Sequence, residues 1–168
     1  VAGSILPNLG ILHNSRLQVT GEYYLHIRQN LMALPGVGLE GIEEVHSHPM
    51  ALLQCIDFLD THRWRLVETE DTALSARRIA ERGIRNAAAI AGDLAAELFG
   101  LEIVAADIHS IRNNYTRFLV LRPDHQPIDE RSDKASLCFK TDHRHGSLIR
   151  VLREMEDSTI NMTKLQSF

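Results

Sequence analysis

Cysteine is scarce in this chain, which has only Cys55 and Cys138 among its 168 residues. They lie far apart with no CxxC spacing, which argues against a disulfide framework and against a zinc site, so we expect reduced thiols in a cytoplasmic protein. Long apolar runs are scarce as well, because no stretch approaches the roughly 18 consecutive apolar residues of a membrane span. The sequence therefore predicts a soluble protein with no membrane partner.

Aromatic residues and positive charge are also limited. Aromatic side chains make up 5% of the residues, and 18 Lys and Arg stand against 22 Asp and Glu, which gives a formal net charge of −4. General nucleic-acid binding needs a basic surface with stacking side chains, so DNA and RNA are not expected as partners. Apolar residues, at 44%, are sufficient to build a folded core.

The common cofactor motifs are missing from the sequence. No GxGxxG, GxxxxGK[ST], GxSxG or HExxH pattern occurs. His46-Ser-His48 and His143-Arg-His145 each bring two imidazoles together, but neither pair has cysteines or carboxylates spaced as further metal ligands. Surface or capping histidines are the favoured interpretation, which leaves chemistry without a cofactor or metal, or binding alone.

Helix and strand patterns alternate along the chain, which predicts an α/β fold. The predicted helices have apolar residues three and four apart and begin near residues 3, 49, 71 and 86. The predicted strands are rich in apolar and β-branched residues and cover 17–34, 45–47, 101–105 and 115–121. The stretch from Asn86 is expected to be one helix that Gly100 ends, because Ile90, Leu94 and Leu98 recur every four residues.

Capping residues support two of these helices. Pro49 stands at a favoured first helical position, with Ser47 or His48 as the cap before it. Asp71 is a typical N-cap, and Gly83 is a typical residue just after a helix end. We therefore expect well-defined helix ends at both places.

A polar segment divides the chain. Residues 122–133 contain two prolines and almost no apolar side chain, so we expect a linker there. Beyond it, alternation at 135–139 predicts a strand, Gly146-Ser147 opens a helix, and alternation at 160–165 predicts a second strand. Because a unit of this size cannot bury both faces of a sheet, we expect it to be part of a somewhat larger domain or to pair with another chain.

Two places carry polar groups suited to binding an anion. Ser47-His48-Pro49 lies at a strand-to-helix junction, where backbone N–H groups favour a carboxylate or phosphate, and Gln54 follows on the same helix. Asn114 precedes Thr116-Arg117 at a strand start, where a hydroxyl can donate a proton and a guanidinium can hold a carboxylate. A simply capped helix, and a strand threonine beside a snorkelling arginine, remain open as interpretations.

Taken together, these motifs resemble the prephenate dehydratase family. The resemblance rests on motifs in a specific order: Gly3-Ser4, Ser47-His48-Pro49 with Gln54-Cys55, Asp71-Thr72-Ala73, the alanine-rich run from Ala88 to Gly100, and Asn114-x-Thr116-Arg117-Phe118. The segment 134–168 is similar to the opening of an ACT domain, the regulatory domain of the family. Four residues depart from the usual pattern: Met50, His145, Gln166 and Phe168.

The resemblance implies an α/β, two-lobed catalytic domain of the periplasmic-binding-protein type II class at 1–121 and a linker at 122–133. A ferredoxin-like α+β ACT domain is implied to start at 134–168. The N-terminal part of the first domain and the C-terminal part of the second are expected to be missing. The implied activity is that of a hydro-lyase that converts prephenate to phenylpyruvate, CO2 and water without a cofactor, since aromatisation drives the reaction.

The resemblance also implies the site residues and partners. Thr116 is the implied hydrogen-bond donor or general acid to the leaving hydroxyl. Substrate contacts are implied for Ser4, Ser47, His48, Gln54, Thr72, Asn114 and Arg117. L-phenylalanine is the implied feedback inhibitor, in a homodimer or homotetramer, at His145, Gly146, Ser147, Leu148, Ile149, Asn161, Gln166 and Ser167. The alternatives are a protein that binds an amino acid or carboxylate without turnover and a regulatory paralogue that has lost activity.

Overall fold

The computed structural model describes residues 5–123 and 131–167, apart from the side chain of Leu6. The helices are α1 (Leu6–Asn14), α2 (Pro49–Gln54), α3 (Ile56–Leu59), α4 (Thr72–Arg82), α5 (Asp93–Phe99) and α6 (Ser147–Asp157). The strands are β1 (Leu17–His26), β2 (Asn30–Ala33), β3 (Glu44–Ser47), β4 (Arg65–Glu68), β5 (Ala87–Ala91), β6 (Glu102–Ala105) and β7 (Tyr115–Pro123). The predicted α/β class is confirmed.

The described residues form two compact units. Tyr23–Phe118 form the first unit, and residues 5–22, 119–123 and 131–167 belong to the second. The first unit contains a five-stranded sheet in the order β4-β3-β5-β2-β6. Strands β4, β3 and β5 are parallel, whereas β2 is antiparallel to both of its neighbours. The C-terminal ends of three strands therefore meet at one edge of the sheet, where β2 begins with Asn30 opposite Ala91.

Two apolar clusters cover the two faces of this sheet. One contains Leu31, Val45 and Ile90 with residues of α2 and α3, and the other contains Met32 and Ala89 with residues of α4 and α5. Successive strand residues alternate between the clusters because side chains of a strand point to opposite faces in turn. The central strand β5 is consequently buried along its whole length.

The expected single helix from Asn86 to Gly100 is wrong. Residues Ala87–Ala91 form β5, and α5 begins only at Asp93. A central strand covered on both faces has no polar alternation, so its sequence resembles that of a buried helix. The four-residue spacing that suggested one helix runs across two elements. Ile90 belongs to β5, whereas Leu94 and Leu98 belong to α5 and are 64% and 66% exposed.

Most other predicted ends agree with the structure. The Asp71 side chain accepts a hydrogen bond from the backbone N–H of Leu74 at 2.9 Å, and Gly83 and Gly100 end their helices with φ of 60° and 64°. The predicted strand at 17–34 is two strands in different sheets, β1 and β2. Strand β4 is an element that the sequence patterns did not predict.

The second unit holds α1 and α6. Strands β1 and β7 pair in a two-stranded sheet. The predicted helix after Gly146 is confirmed as α6. The strands predicted at 135–139 and 160–165 are wrong, because neither segment is a strand in the structure. A strand needs hydrogen bonds from a neighbouring strand, and these segments pair with none among the described residues. The linker and domain boundaries stay predictions.

Candidate active site

Ser47 is the last residue of β3 and lies where the C-terminal ends of the parallel strands meet. Its side chain is fully buried, and its hydroxyl donates a hydrogen bond to the carbonyl oxygen of Ile90 at 2.7 Å. The next residue, His48, is the N-cap of α2, where its Nδ1 accepts a hydrogen bond from the backbone N–H of Met50 at 3.1 Å. Both side chains thus hold the strand-to-helix junction in place. Thr72, the first residue of α4, is half-buried beside the Asp71 cap.

Gln54, the last residue of α2, belongs to a cluster of three amide side chains. Its Oε1 accepts a hydrogen bond from Nε2 of Gln29 and another from Nδ2 of Asn114, both at 3.1 Å. Gln29 is 6% exposed and Asn114 is 5% exposed. Buried amide groups are stable in a core only when they are hydrogen-bonded. The structure therefore joins two residues singled out from the sequence, Gln54 and Asn114, through a third that was not.

This amide cluster borders a small cavity of about 50 Å³. The lining residues are Met50, Leu53, Gln54, His109, Ser110, Ile111 and Asn114. The Nδ1 atom of His109 is buried and has no hydrogen-bond partner within the described part of the chain. An orphaned polar atom beside a cavity is suited to meet a water molecule or a polar ligand group. His109 was not predicted as a site residue, because it belongs to none of the sequence motifs.

Thr116 and Arg117 lie at the start of β7, two and three residues after Asn114. Both are exposed. The Thr116 hydroxyl makes no hydrogen bond to any residue that the structure describes, so it is available to a ligand. Ser4, the remaining residue expected at the substrate site, lies outside the described residues.

An ionic network lies where β2 begins. Arg28 donates from Nε and Nη2 to the two carboxylate oxygens of Asp107, each at 2.7 Å, and from Nη1 to Asp93 at 3.2 Å. Asn30 donates to Asp93 and accepts from the backbone N–H of Asp107 at 2.9 Å. The hydrogen bond from Arg28 is the main reason that the pKa of Asp107 lies below its ordinary value. This network was missed because its members are far apart in sequence.

Five of the residues expected at the effector site, His145 to Ile149, lie at the start of α6, whereas Asn161, Gln166 and Ser167 follow the end of this helix. Gly146 adopts φ of 77° before the helix, and Ser147, its first residue, is 8% exposed. The flanking residues of the expected site are exposed: His145, Leu148, Ile149, Asn161, Gln166 and Ser167. The assignment of this segment to a phenylalanine site stays a prediction.

Comparison with known proteins identifies the family. The sequence profile described as "Prephenate dehydratase" matches residues 1–126. The chain belongs to the prephenate dehydratase family. The bifunctional chorismate mutase/prephenate dehydratase of Neisseria gonorrhoeae is 40% identical over 98% of this chain and 46% of its own length. The chloroplastic arogenate dehydratase/prephenate dehydratase 1 of Arabidopsis thaliana is 36% identical over 99% of this chain and 43% of its own.

A solved structure supports the same family. The prephenate dehydratase of Arthrobacter aurescens, crystallised in complex with L-Phe, has a TM-score of 0.80 and 25% identity, over 99% of this chain and 57% of that chain. The mixed sheet agrees with the periplasmic-binding-protein class expected for prephenate dehydratases. The chain spans less than half the length of these two curated relatives. None of the described helices has the length and apolar character needed to cross a membrane.

Proposed function

We propose that this chain carries out the prephenate dehydratase reaction, the conversion of prephenate to phenylpyruvate, CO2 and water. The observation that carries the proposal is the hydrogen-bonded pair of Gln54 and Asn114 beside a cavity, with Thr116 two residues after Asn114. The Thr116 hydroxyl has no hydrogen-bond partner among the residues that the structure describes. Family membership supports the same conclusion. Both residues of the pair were expected at the substrate site.

The proposed chemistry follows from the substrate. Prephenate carries two carboxylates and a ring hydroxyl. When the ring carboxylate leaves as CO2, the electron pair of its C–C bond enters the ring and the C–O bond to the hydroxyl breaks. Thr116 donates a proton to the departing oxygen, which leaves as water, and the threonine recovers a proton from solvent. An alcohol is a weak acid, so this donation is concerted with C–O cleavage.

The other residues hold the substrate in position. Arg117 supplies a guanidinium that binds a carboxylate through two parallel hydrogen bonds. Gln54 supplies an amide N–H group to a substrate oxygen, and Ser47, His48 and Thr72 shape the adjoining edge of the sheet. Fixing the reacting groups in this way removes much of the entropic barrier to the reaction. No electron-sink cofactor is required, because formation of the aromatic ring provides the driving force.

Regulation by L-phenylalanine is part of the proposal. The segment from 134 onward is proposed to begin an ACT domain that binds phenylalanine near Gly146 and Ser147, at an interface between subunits of a homodimer or homotetramer. Its support is the resemblance of this segment and the presence of L-Phe in the crystals of the Arthrobacter relative. Location in the cytoplasm stays a prediction.

The proposal is tested with Thr116→Ala in the full-length protein. Phenylpyruvate formation is followed by its ultraviolet absorbance in alkali, with prephenate and with arogenate as substrates because relatives carry both names. Loss of the proton donor is expected to lower kcat by about 100- to 10,000-fold, while KM changes only a few-fold. An equal loss in kcat and in substrate affinity argues against proton donation. No turnover by the unmodified protein, with phenylalanine still bound, favours the sensor alternative.

A further inference from the structure

Gln29 has no role in the proposed reaction, yet it is tied to the site from two directions. It precedes β2, and its backbone carbonyl accepts a hydrogen bond from the N–H of Ile108 at 2.9 Å. Its side chain reaches across to Gln54, which is 25 residues further along the chain. Because Gln29 is 6% exposed, it contributes little to the surface. Its amide is therefore placed to act on Gln54.

The hydrogen bonds around Gln54 determine which way its amide points. A side-chain carbonyl oxygen has two lone pairs, and those of Gln54 Oε1 accept from Gln29 and from Asn114. The Nε2 group of Gln54 has no hydrogen-bond partner among the described residues, although the residue lines the cavity. If the amide were rotated by half a turn, N–H groups would face N–H groups. The present orientation thus leaves two donors available.

Asn114 has little freedom to substitute for Gln29. Its Nδ2 group donates to Gln54 at 3.1 Å and to the carbonyl of Ile27 at 3.4 Å, so both of its N–H groups are engaged. Its own backbone carbonyl accepts from Ile27 N–H at 2.7 Å, which anchors the residue. Asn114 therefore supplies one donor to Gln54, and among the described residues Gln29 alone supplies the second.

From these contacts we infer that Gln29 is a positioning residue that holds the Gln54 amide with its N–H groups toward the ligand. The site then recognises an oxygen that accepts hydrogen bonds, such as a substrate carboxylate. This inference rests on the proposed function, because it specifies how Gln54 binds the substrate. Gln29 itself does not touch the substrate.

Replacement of Gln29 by glutamate puts a hydrogen-bond acceptor where Gln29 has a donor, without a large change in side-chain volume. The introduced carboxylate accepts hydrogen bonds but cannot donate them when ionised. Gln54 is expected to rotate so that its N–H groups face the carboxylate and its oxygen faces the ligand, with loss of the hydrogen bond that it accepts from Asn114. In the full-length protein, Gln29→Glu should raise KM for prephenate by at least about tenfold, since bonds to charged groups are the stronger ones. kcat should change less than about threefold.

Two further measurements separate positioning from a general defect. Gln29→Met removes the donor with similar volume and is expected to raise KM only about two- to threefold, because Asn114 still holds Gln54. The KM of Gln29→Glu should fall again as the pH is lowered, because a protonated carboxyl can donate to Gln54. A disrupted fold would not show this recovery.

A double-mutant cycle tests whether Gln29 affects substrate binding through Gln54. In a Gln54→Leu background, Gln29→Glu should add no further increase in KM, whereas simple charge repulsion of the substrate would persist. Gln54→Leu alone tests the proposed site: an unchanged KM overturns both the substrate role of Gln54 and the inference. If Gln54→Leu raises KM but Gln29→Glu does not, the proposed function stands and the positioning role of Gln29 is overturned.

Discussion

At the scale of single residues, the structure gives several polar side chains a structural role in addition to any ligand contact. The Ser47 hydroxyl donates to the Ile90 carbonyl in the core, and the His48 imidazole caps α2. A variant of either residue therefore changes stability as well as binding. Gln54 has the same double role on separate atoms: its Oε1 accepts from two buried amides, whereas its N–H groups have no partner in the described part of the chain. KM, rather than stability, is therefore the quantity that tests substrate binding by Gln54.

Asp107 provides a prediction about acid stability. Its pKa is lowered below the ordinary value of 3.8, first by the hydrogen bond from Arg28 and then by the positive charges nearby. A carboxyl with a lowered pKa in the folded state stabilises the protein above its unfolded pKa, and that contribution disappears as the pH falls through the folded value. We therefore expect stability to decrease below about pH 4, partly through Asp107.

Asp107→Asn tests this contribution, because asparagine also tolerates the positive φ of 53° at this position. Urea unfolding is measured between pH 7 and pH 3. The free energy of unfolding of the variant should be lower at pH 7 and should decrease less toward pH 3 than that of the unmodified protein. Parallel curves would show that Asp107 does not contribute to the acid transition.

Several site residues were predictable from the sequence and several were not. Gln54, Asn114 and Thr116 belong to short motifs, so local residue order was sufficient to select them. Gln29 and His109 belong to no motif, and their importance depends on contacts or burial that arise only in the folded chain. Such residues become visible only when the sheet brings distant segments together.

At the scale of elements, helix ends were predicted better than strands. Asp71, Gly83 and Gly100 act through their own backbone neighbours, so their effect is local. Strand β5 depends instead on its place between β3 and β2, which no local pattern contains. Its alanines are typical of helices in isolation. Tertiary packing overrides that preference here.

The two interpretations of this segment predict different effects of substitution. Ala89 is fully buried in β5 and belongs to the same cluster as Ala76 and Ile79 of α4, so Ala89→Leu should destabilise the protein by about 1–3 kcal/mol through overpacking. Leu94→Ala is the control, because Leu94 is 64% exposed in α5 and should cost less than about 0.5 kcal/mol. Urea unfolding gives both values. A larger loss for Leu94→Ala would contradict the observed boundary between strand and helix.

At the scale of the whole molecule, the two units differ in how much of them the sequence could predict. The first unit contains both apolar clusters, and the buried residues of its helices and strands pack against residues of the same unit. In the second unit, Leu137, Phe139 and Ile160 are at least 39% exposed and their segments pair with no described strand. Alternating sequence alone does not form a strand without a neighbour.

The proposed phenylalanine site leads to a prediction for the full-length protein. A ligand that binds only the folded state stabilises it by about 2.7 kcal/mol at a concentration of 100 times Kd. L-phenylalanine should therefore raise the unfolding temperature and inhibit turnover. Gly146→Ala should weaken both effects, because Gly146 adopts φ of 77° at the start of α6, where an added Cβ would disfavour the local backbone.

Gly83→Ala is the matched control for this experiment. Gly83 also has a positive φ, of 60°, and an added Cβ would contact nothing within 4 Å at either glycine. Both variants should therefore lose similar stability, about 1–2 kcal/mol. Only Gly146→Ala should need more L-phenylalanine to reach half of the maximal temperature shift. An equal response of the two variants would place the phenylalanine site away from the start of α6.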